Sequence, residues 1–169
     1  KYRMIGKRWH VREMNEADVV ANAGYLTVRG MKALAVRREI QNNSAMELAN
    51  GVSQLQKIDS VDDPGLNTNP GHSVAISQMK GFGGVLSFSL NGEEDLLSNF
   101  ISKLNFAHSA AHLGSVDTIV GPPKTTSHVE NTAQERSDLG IPENMLRCSV
   151  GIENIDDIKT DFNQALKSI

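Results

Sequence analysis

The 169-residue sequence holds one cysteine, Cys148, so it can form no internal disulfide, and a reducing, cytoplasmic compartment is the expectation. It contains no apolar run near the ~20 residues that a membrane-spanning helix needs. Its basic opening, Lys1, Arg3, Lys7 and Arg8, leads into no hydrophobic stretch of the kind a secretion signal carries. Charge of one sign is also missing. Seventeen Lys and Arg against 20 Asp and Glu leave a formal net charge of −3 with the signs interspersed, which excludes the electrostatic footprint of a nucleic-acid or anionic-membrane binder. There is no internal repeat and no low-complexity tract. What remains, 39% hydrophobic and 22% charged residues, suits a soluble globular protein, long enough for one domain with a sizeable core and short for two. A first residue of lysine fits a chain cut from something larger, or a processed one.

Along the chain, residues 14–24 are small and polar and read as a connector. From Tyr25 to about Leu55 the pattern is helical, with Ala45, Leu48, Val52 and Leu55 on one face at steps of three and four. Gly30 inside this stretch either weakens the helix or admits another backbone, and the second is favoured. Asp62-Asp63-Pro64-Gly65 and Asn69-Pro70-Gly71 are turn chemistry ahead of a short helix over residues 72–79. Residues 85–90 alternate Leu86, Phe88 and Leu90 with serines, as a half-buried strand does. After Asn91-Gly92, Glu93-Glu94 starts a helix carrying Leu96, Leu97, Phe100, Ile101 and Leu104, its acids suited to the positive helix end. Further strands are expected over 116–120 and 145–150, with a short exposed helix over 131–139 stopped by Gly140 and Pro142. A final helix starts at Asn154, a good cap, with Ile155, Ile158, Phe162 and Leu166 on one stripe. The layout is compact α/β.

The common catalytic constellations are missing. His108 and His112 are four apart and would face one way on a helix, but polar lining is a better reading of them than a metal site, and no metal is expected. Gly81-Phe82-Gly83-Gly84 runs from a helix into a strand, the reverse of a phosphate cradle, so a tight turn with close packing is the reading. Cys148 has no partner base in its strand and reads as a small packing residue. Arg147 stands out. It lies in the middle of an apolar strand, where an unpaired charge is costly. Its planar fork suits a carboxylate, but a solvent-facing residue or an internal salt bridge is an equal alternative on this ground alone.

An ordered series of strings decides between them. Tyr25-Leu26-Thr27-Val28-Arg29-Gly30-Met31-Lys32-Ala33-Leu34, Pro70-Gly71-His72, and Met79-Lys80-Gly81-Phe82-Gly83-Gly84-Val85-Leu86-Ser87-Phe88 come first. Leu113-Gly114-Ser115-Val116-Asp117-Thr118, Thr126-Ser127-His128, and Leu146-Arg147-Cys148-Ser149-Val150-Gly151-Ile152-Glu153 follow. In order and spacing the set resembles the family of cystathionine γ-synthase, cystathionine γ- and β-lyases, methionine γ-lyase and acyl-homoserine sulfhydrylases. The resemblance runs from about residue 8 to the end.

The resemblance implies the C-terminal small domain of a type I aminotransferase-like fold, a small and mainly antiparallel sheet covered by helices. Residues 25–169 would form this substrate-closing domain, and 1–24 would be the end of a larger domain and a connector. It implies pyridoxal 5′-phosphate as cofactor and a small amino-acid substrate, with no nucleic-acid or membrane partner. It also implies a homotetramer built from dimers that share active sites. Arg147 would bind the substrate α-carboxylate, with His112, Leu113 and Ser127 beside it. Holding that carboxylate sets the Cα–H bond perpendicular to the cofactor ring. Ala111 stands where lyases of cystathionine often carry an acid, which argues against a strict cystathionine lyase and leaves γ-elimination or γ-replacement on other homoserine derivatives open. His112 replaces the family's usual serine. The lysine that links the cofactor belongs in a T-K-aromatic motif, which Lys1-Tyr2 and the residues after it do not follow, so no catalytic residue is identifiable. The implied function is therefore part of a transsulfuration enzyme. The alternative is a non-catalytic truncated paralogue that folds or docks with a full-length subunit.

Overall fold

A computed structural model describes residues 21–92 and 95–169. The chain forms two units, residues 1–36 and 37–169. In the first, helix α1 (Ala21–Met31) begins ahead of the expected Tyr25 and absorbs the end of the supposed connector. Tyr25, Leu26, Val28 and Met31 on it are exposed. The expected single long helix is broken: Lys32 and Ala33 close tight turns onto the carbonyls of Arg29 and Gly30, and α2 (Leu34–Val52) starts afresh. A Cβ at Gly30 would meet nothing within 4 Å among the described residues. This glycine weakens the helix one residue before α1 ends.

The second unit is built on one sheet. Its strands are β1 (Ile58–Asp62), β2 (Val85–Leu90), β3 (His108–Ser109), β4 (Ile119–Gly121) and β5 (Met145–Ser149). The order is β1-β2-β5-β4-β3, antiparallel except for the β3–β4 pair. This is the mainly antiparallel sheet the sequence implies. Strand β5 lies at its centre. Register aligns Leu86, Cys148 and Val120 across three strands, and Phe88 with Leu146; all five are buried. That face meets Ala45, Leu48, Ala49 and Val52 of α2 in one core. It also meets α4 (Asp95–Ser102) and α6 (Ile155–Lys167); α3 (His72–Gln78) precedes α4 in the chain, and α5 (Ala133–Asp138) lies between α4 and α6. Phe88, Phe100 and Phe162 lock sheet and helices together, with ring centroids 5.5–6.0 Å apart and two of the three contacts edge-on.

The local signals act as chemistry requires. The Asn154 side chain accepts from the Asp156 amide to start α6, and Thr132 with Glu135 forms a reciprocal capping box on α5. The expected strand over 116–120 is the shorter Ile119–Gly121, because Val116 and Thr118 bond elsewhere. Strands β1 and β3, polar and short, are additions that periodicity does not reveal.

Asp161, on the buried side of α6, is 2% exposed. Its carboxylate accepts from the backbone amides of Asn105, Phe106 and Ala107 and from the Asn105 and Gln164 side-chain amides. Burial pushes this carboxyl up, but the bonds from Phe106, Asn105, Gln164 and Ala107 outweigh it and hold it below the ordinary carboxylate value. A depressed folded-state value gives stability that is complete above the unfolded value, about 4, and is lost as pH falls through the folded one. Asp161→Asn is expected to cost about 1.5–3 kcal/mol at neutral pH, with the deficit shrinking below about pH 4. Urea denaturation at both pH values measures this, and an equal deficit at each would contradict it.

Cys148 is fully buried in the central strand, and burial, with Glu153 adding repulsion, pushes its thiol up. It is packing, as its strand context suggests. Native protein should resist alkylation by iodoacetamide and react only when unfolded in urea; equal rates in the two states would contradict this burial.

Candidate functional site

Alternation along β5 sends Leu146 and Cys148 into the core and Arg147 to the opposite face. There the register sets Arg147 between Ser87 of β2 and Gly121 of β4, and Ser149 beside Val85 and Ile119. The guanidinium thus stands among small neighbours on the uncovered side of a well-anchored strand. Its Nη2 donates to the carbonyl oxygens of Ala111 and His112, at 3.4 and 3.3 Å. Among the described residues no carboxylate pairs with Arg147, which removes the internal salt bridge as its explanation. Nε and Nη1 make no hydrogen bond among the described residues, and each retains an N–H that can donate to an anion.

The two carbonyls belong to a loop, residues 109–117, that is tied at several points. At its base the His108 amide donates to the Thr118 carbonyl at 2.9 Å. Gly114, at φ 78°, turns the chain back so that its amide donates to Ser149 Oγ at 3.0 Å. Gln41 Nε2 donates to the Ser115 carbonyl at 2.8 Å, and the Ile152 amide to that of Val116 at 2.8 Å. Gly151 makes the closest approach possible: a Cβ there would collide with the Val116 carbonyl and the Glu153 carboxylate.

The other expected site residues are placed as follows. Ala111, His112 and Leu113 are all exposed on this loop, and the first two reach Arg147 through their backbones. Ser127 lies in the turn after Pro123–Thr125, a 3-10 segment packed against β5, where its hydroxyl shares a 2.9 Å hydrogen bond with His128 Nδ1. It makes no bond to Arg147. Lys1 falls outside the described residues. His108 lies in a strand and His112 in the loop, so their four-residue spacing is not helical; among the described residues no cluster of metal-ligating side chains forms. His72 of the Pro70-Gly71-His72 string bonds through Nδ1 to the Pro64 carbonyl at 2.9 Å and braces a turn. Glu153, Thr118 and Ser149 were not picked out as functional, although they sit inside the recognised strings.

Whether these residues fit a phosphorylated cofactor is tested by the glycine loop. A Cβ at Gly81 would meet the Asn42 side-chain amide at 2.6 Å, and one at Gly84 would meet Gln41 at 3.0 Å. The space these glycines keep open is filled by α2, so the loop is the tight packing turn expected and seats no phosphate. Among the described residues the glycine loop forms no cofactor cradle.

Comparison with known proteins agrees with this architecture. Residues 6–167 match the model of the family described as Cys/Met metabolism PLP-dependent enzyme. The chain is 38% identical over 148 residues to a chloroplastic cystathionine gamma-synthase 1 of Nicotiana tabacum, covering 88% of the chain and 27% of that protein. It is 34% identical over 159 residues to an L-methionine gamma-lyase of Fusobacterium nucleatum subsp. polymorphum, covering 94% of the chain and 40% of that protein. A crystal structure of cystathionine gamma synthase from Xanthomonas oryzae pv. oryzae, in complex with aminoacrylate and cysteine, superposes with a TM-score of 0.83 at 34% identity. That match covers 86% of this chain and 38% of the other. The chain therefore spans about a quarter to two fifths of the length of these relatives. Sheet order, motif series and family match agree, and the chain belongs to the Cys/Met metabolism family of pyridoxal-phosphate-dependent enzymes.

Proposed function

We propose that this chain is the C-terminal part of a pyridoxal-phosphate-dependent transsulfuration enzyme, with residues 25–169 as its substrate-closing domain. The enzyme would act on a sulfur amino acid or an acyl-homoserine by elimination or replacement at the γ or β carbon. Arg147 would hold the α-carboxylate of that substrate. The observation that supports this is a guanidinium on the open face of the central strand, steadied by two backbone carbonyls and paired with no acid among the described residues. A carboxylate is the anion of an amino-acid substrate that a guanidinium with N–H donors to spare suits. A structural neighbour is a cystathionine gamma synthase in complex with cystathionine, a molecule with amino-acid carboxylates. His112 and Leu113 would contact the same carboxylate through backbone and side chain. Ala111, small and exposed beside Arg147, leaves room for the part of the substrate that distinguishes one sulfur compound from another.

In this reading the chain's own contribution is orientation. The guanidinium fixes one end of the amino acid, which restricts rotation about the bond to Cα and so selects which substituent faces the cofactor. The described residues supply no proton-transfer group to that task.

The test is kinetic. With pyridoxal 5′-phosphate and L-cystathionine, L-methionine or an O-acyl-L-homoserine, the enzyme containing this chain is expected to release ammonia and a 2-oxo acid. Arg147→Ala should raise KM about tenfold or more, corresponding to about 1–3 kcal/mol of lost charge-assisted bonding, and Arg147→Lys should recover part of it. An unchanged KM removes Arg147 from the site. A colourless protein that releases no ammonia from any of the three substrates favours the non-catalytic, truncated relative.

A further inference from the structure

We infer that Glu153 is a positioning residue for the Arg147 site, acting through Thr118 at the base of loop 109–117. Thr118 is fully buried, and all three of its polar groups are committed. Its amide donates to Glu153 Oε1 at 2.5 Å and its hydroxyl to Glu153 Oε2 at 2.9 Å, so both carboxylate oxygens hold one residue. The same hydroxyl oxygen accepts from the Gly151 amide at 3.0 Å, and the Thr118 carbonyl accepts from the His108 amide at 2.9 Å. His108 and Thr118 are the two ends of the loop. Fixing Thr118 therefore fixes where the loop begins and where it returns.

The loop's contents make this matter. Ala111 and His112 present the carbonyls that receive Arg147 Nη2, and both bonds, at 3.4 and 3.3 Å, are long and sensitive to small displacements. Ala111 and His112 themselves are exposed and have no packing of their own to hold them. Two further ties, Gly114 to Ser149 and Val116 to Ile152, also join the loop to the segment that follows Arg147 in sequence, while Gln41 joins Ser115 to α2. Residues 147–153 thus carry the guanidinium, and residues 149–153 bind the loop that steadies it. Among the described residues Glu153 is the only charged side chain that ties the loop's base to the segment after Arg147, and its charge-assisted pair of bonds to one buried residue is the strongest of those ties.

This placement can be measured without any ligand. Its consequence for substrate rests on the reading of Arg147 as the carboxylate clamp. In the intact chain, amide hydrogen exchange and the Arg147 Nε–Hε NMR resonance are compared between wild type, Glu153→Gln, Thr118→Val and Thr118→Ser. Glu153→Gln and Thr118→Val are expected to speed exchange at Gly114 and Ile152 about tenfold and to shift the Arg147 resonance. The sheet amides of Leu86, Phe88 and Leu146 should keep their protection. Thr118→Ser, which retains the hydroxyl, should restore the wild-type pattern. Unchanged Gly114 and Ile152 exchange overturns the inference, and so does a uniform loss of protection across the sheet in both Glu153→Gln and Thr118→Val. Titrating L-methionine into wild type separates the two claims. A resonance that L-methionine does not move counts against the carboxylate clamp, while the exchange pattern still decides the role of Glu153.

Discussion

The two-residue repeat of strand β5 is the constraint on which the rest is arranged. Successive side chains must leave on opposite faces. A central strand with Leu146 and Cys148 sealed into the core therefore has no freedom in where Arg147 points. Slipping the register by one residue would bury the guanidinium and expose the leucine, a change penalised at both positions. The aromatic contacts of Phe88, Phe100 and Phe162 strengthen that constraint from the core side, since they hold the neighbouring strand and two helices against the same face. The position of the charged group is thus a by-product of hydrophobic packing on the far side of the sheet.

Carboxylates do the complementary work at the loops. Asp161 gathers the amides of residues 105–107 ahead of β3, and Glu153 holds Thr118 behind the loop. Loops need such partners because their backbone groups are not satisfied by a ladder. Here two acids on or beside the start of α6 secure the approach and the return of a single excursion. The shortening of the expected 116–120 strand follows from this: Val116 and Thr118 direct their hydrogen bonds to Ile152 and Glu153 instead of to a neighbouring strand.

Much of this was legible in the sequence where a local pattern determines structure. Alternation marked β2, an apolar run marked β5, the stripe through Ile158, Phe162 and Leu166 marked α6 with Asn154 as its cap, and the mid-strand position singled out Arg147. Strand β1 reads Ile-Asp-Ser-Val-Asp and β3 is two residues long, so neither offers a periodicity to detect. The break at Lys32 and Ala33 has no proline to announce it. The pairings of Glu153 with Thr118 and of Asp161 with residues 105–107 join positions 35 and 54–56 residues apart. No spacing rule connects such positions, and the recognised strings contained Thr118 and Glu153 without revealing that they meet.

The carbonyls that steady Arg147 belong to the main chain, and that has an evolutionary consequence. Every residue type offers the same carbonyl, so exchanging the side chains of Ala111 or His112 leaves the donor's acceptors in place. Side chains can change at these two positions by point substitution while the acceptors for Arg147 stay in place. A scaffold of this kind separates what must be kept from what is free to diversify, and a serine-to-histidine exchange at position 112 is a change it can absorb.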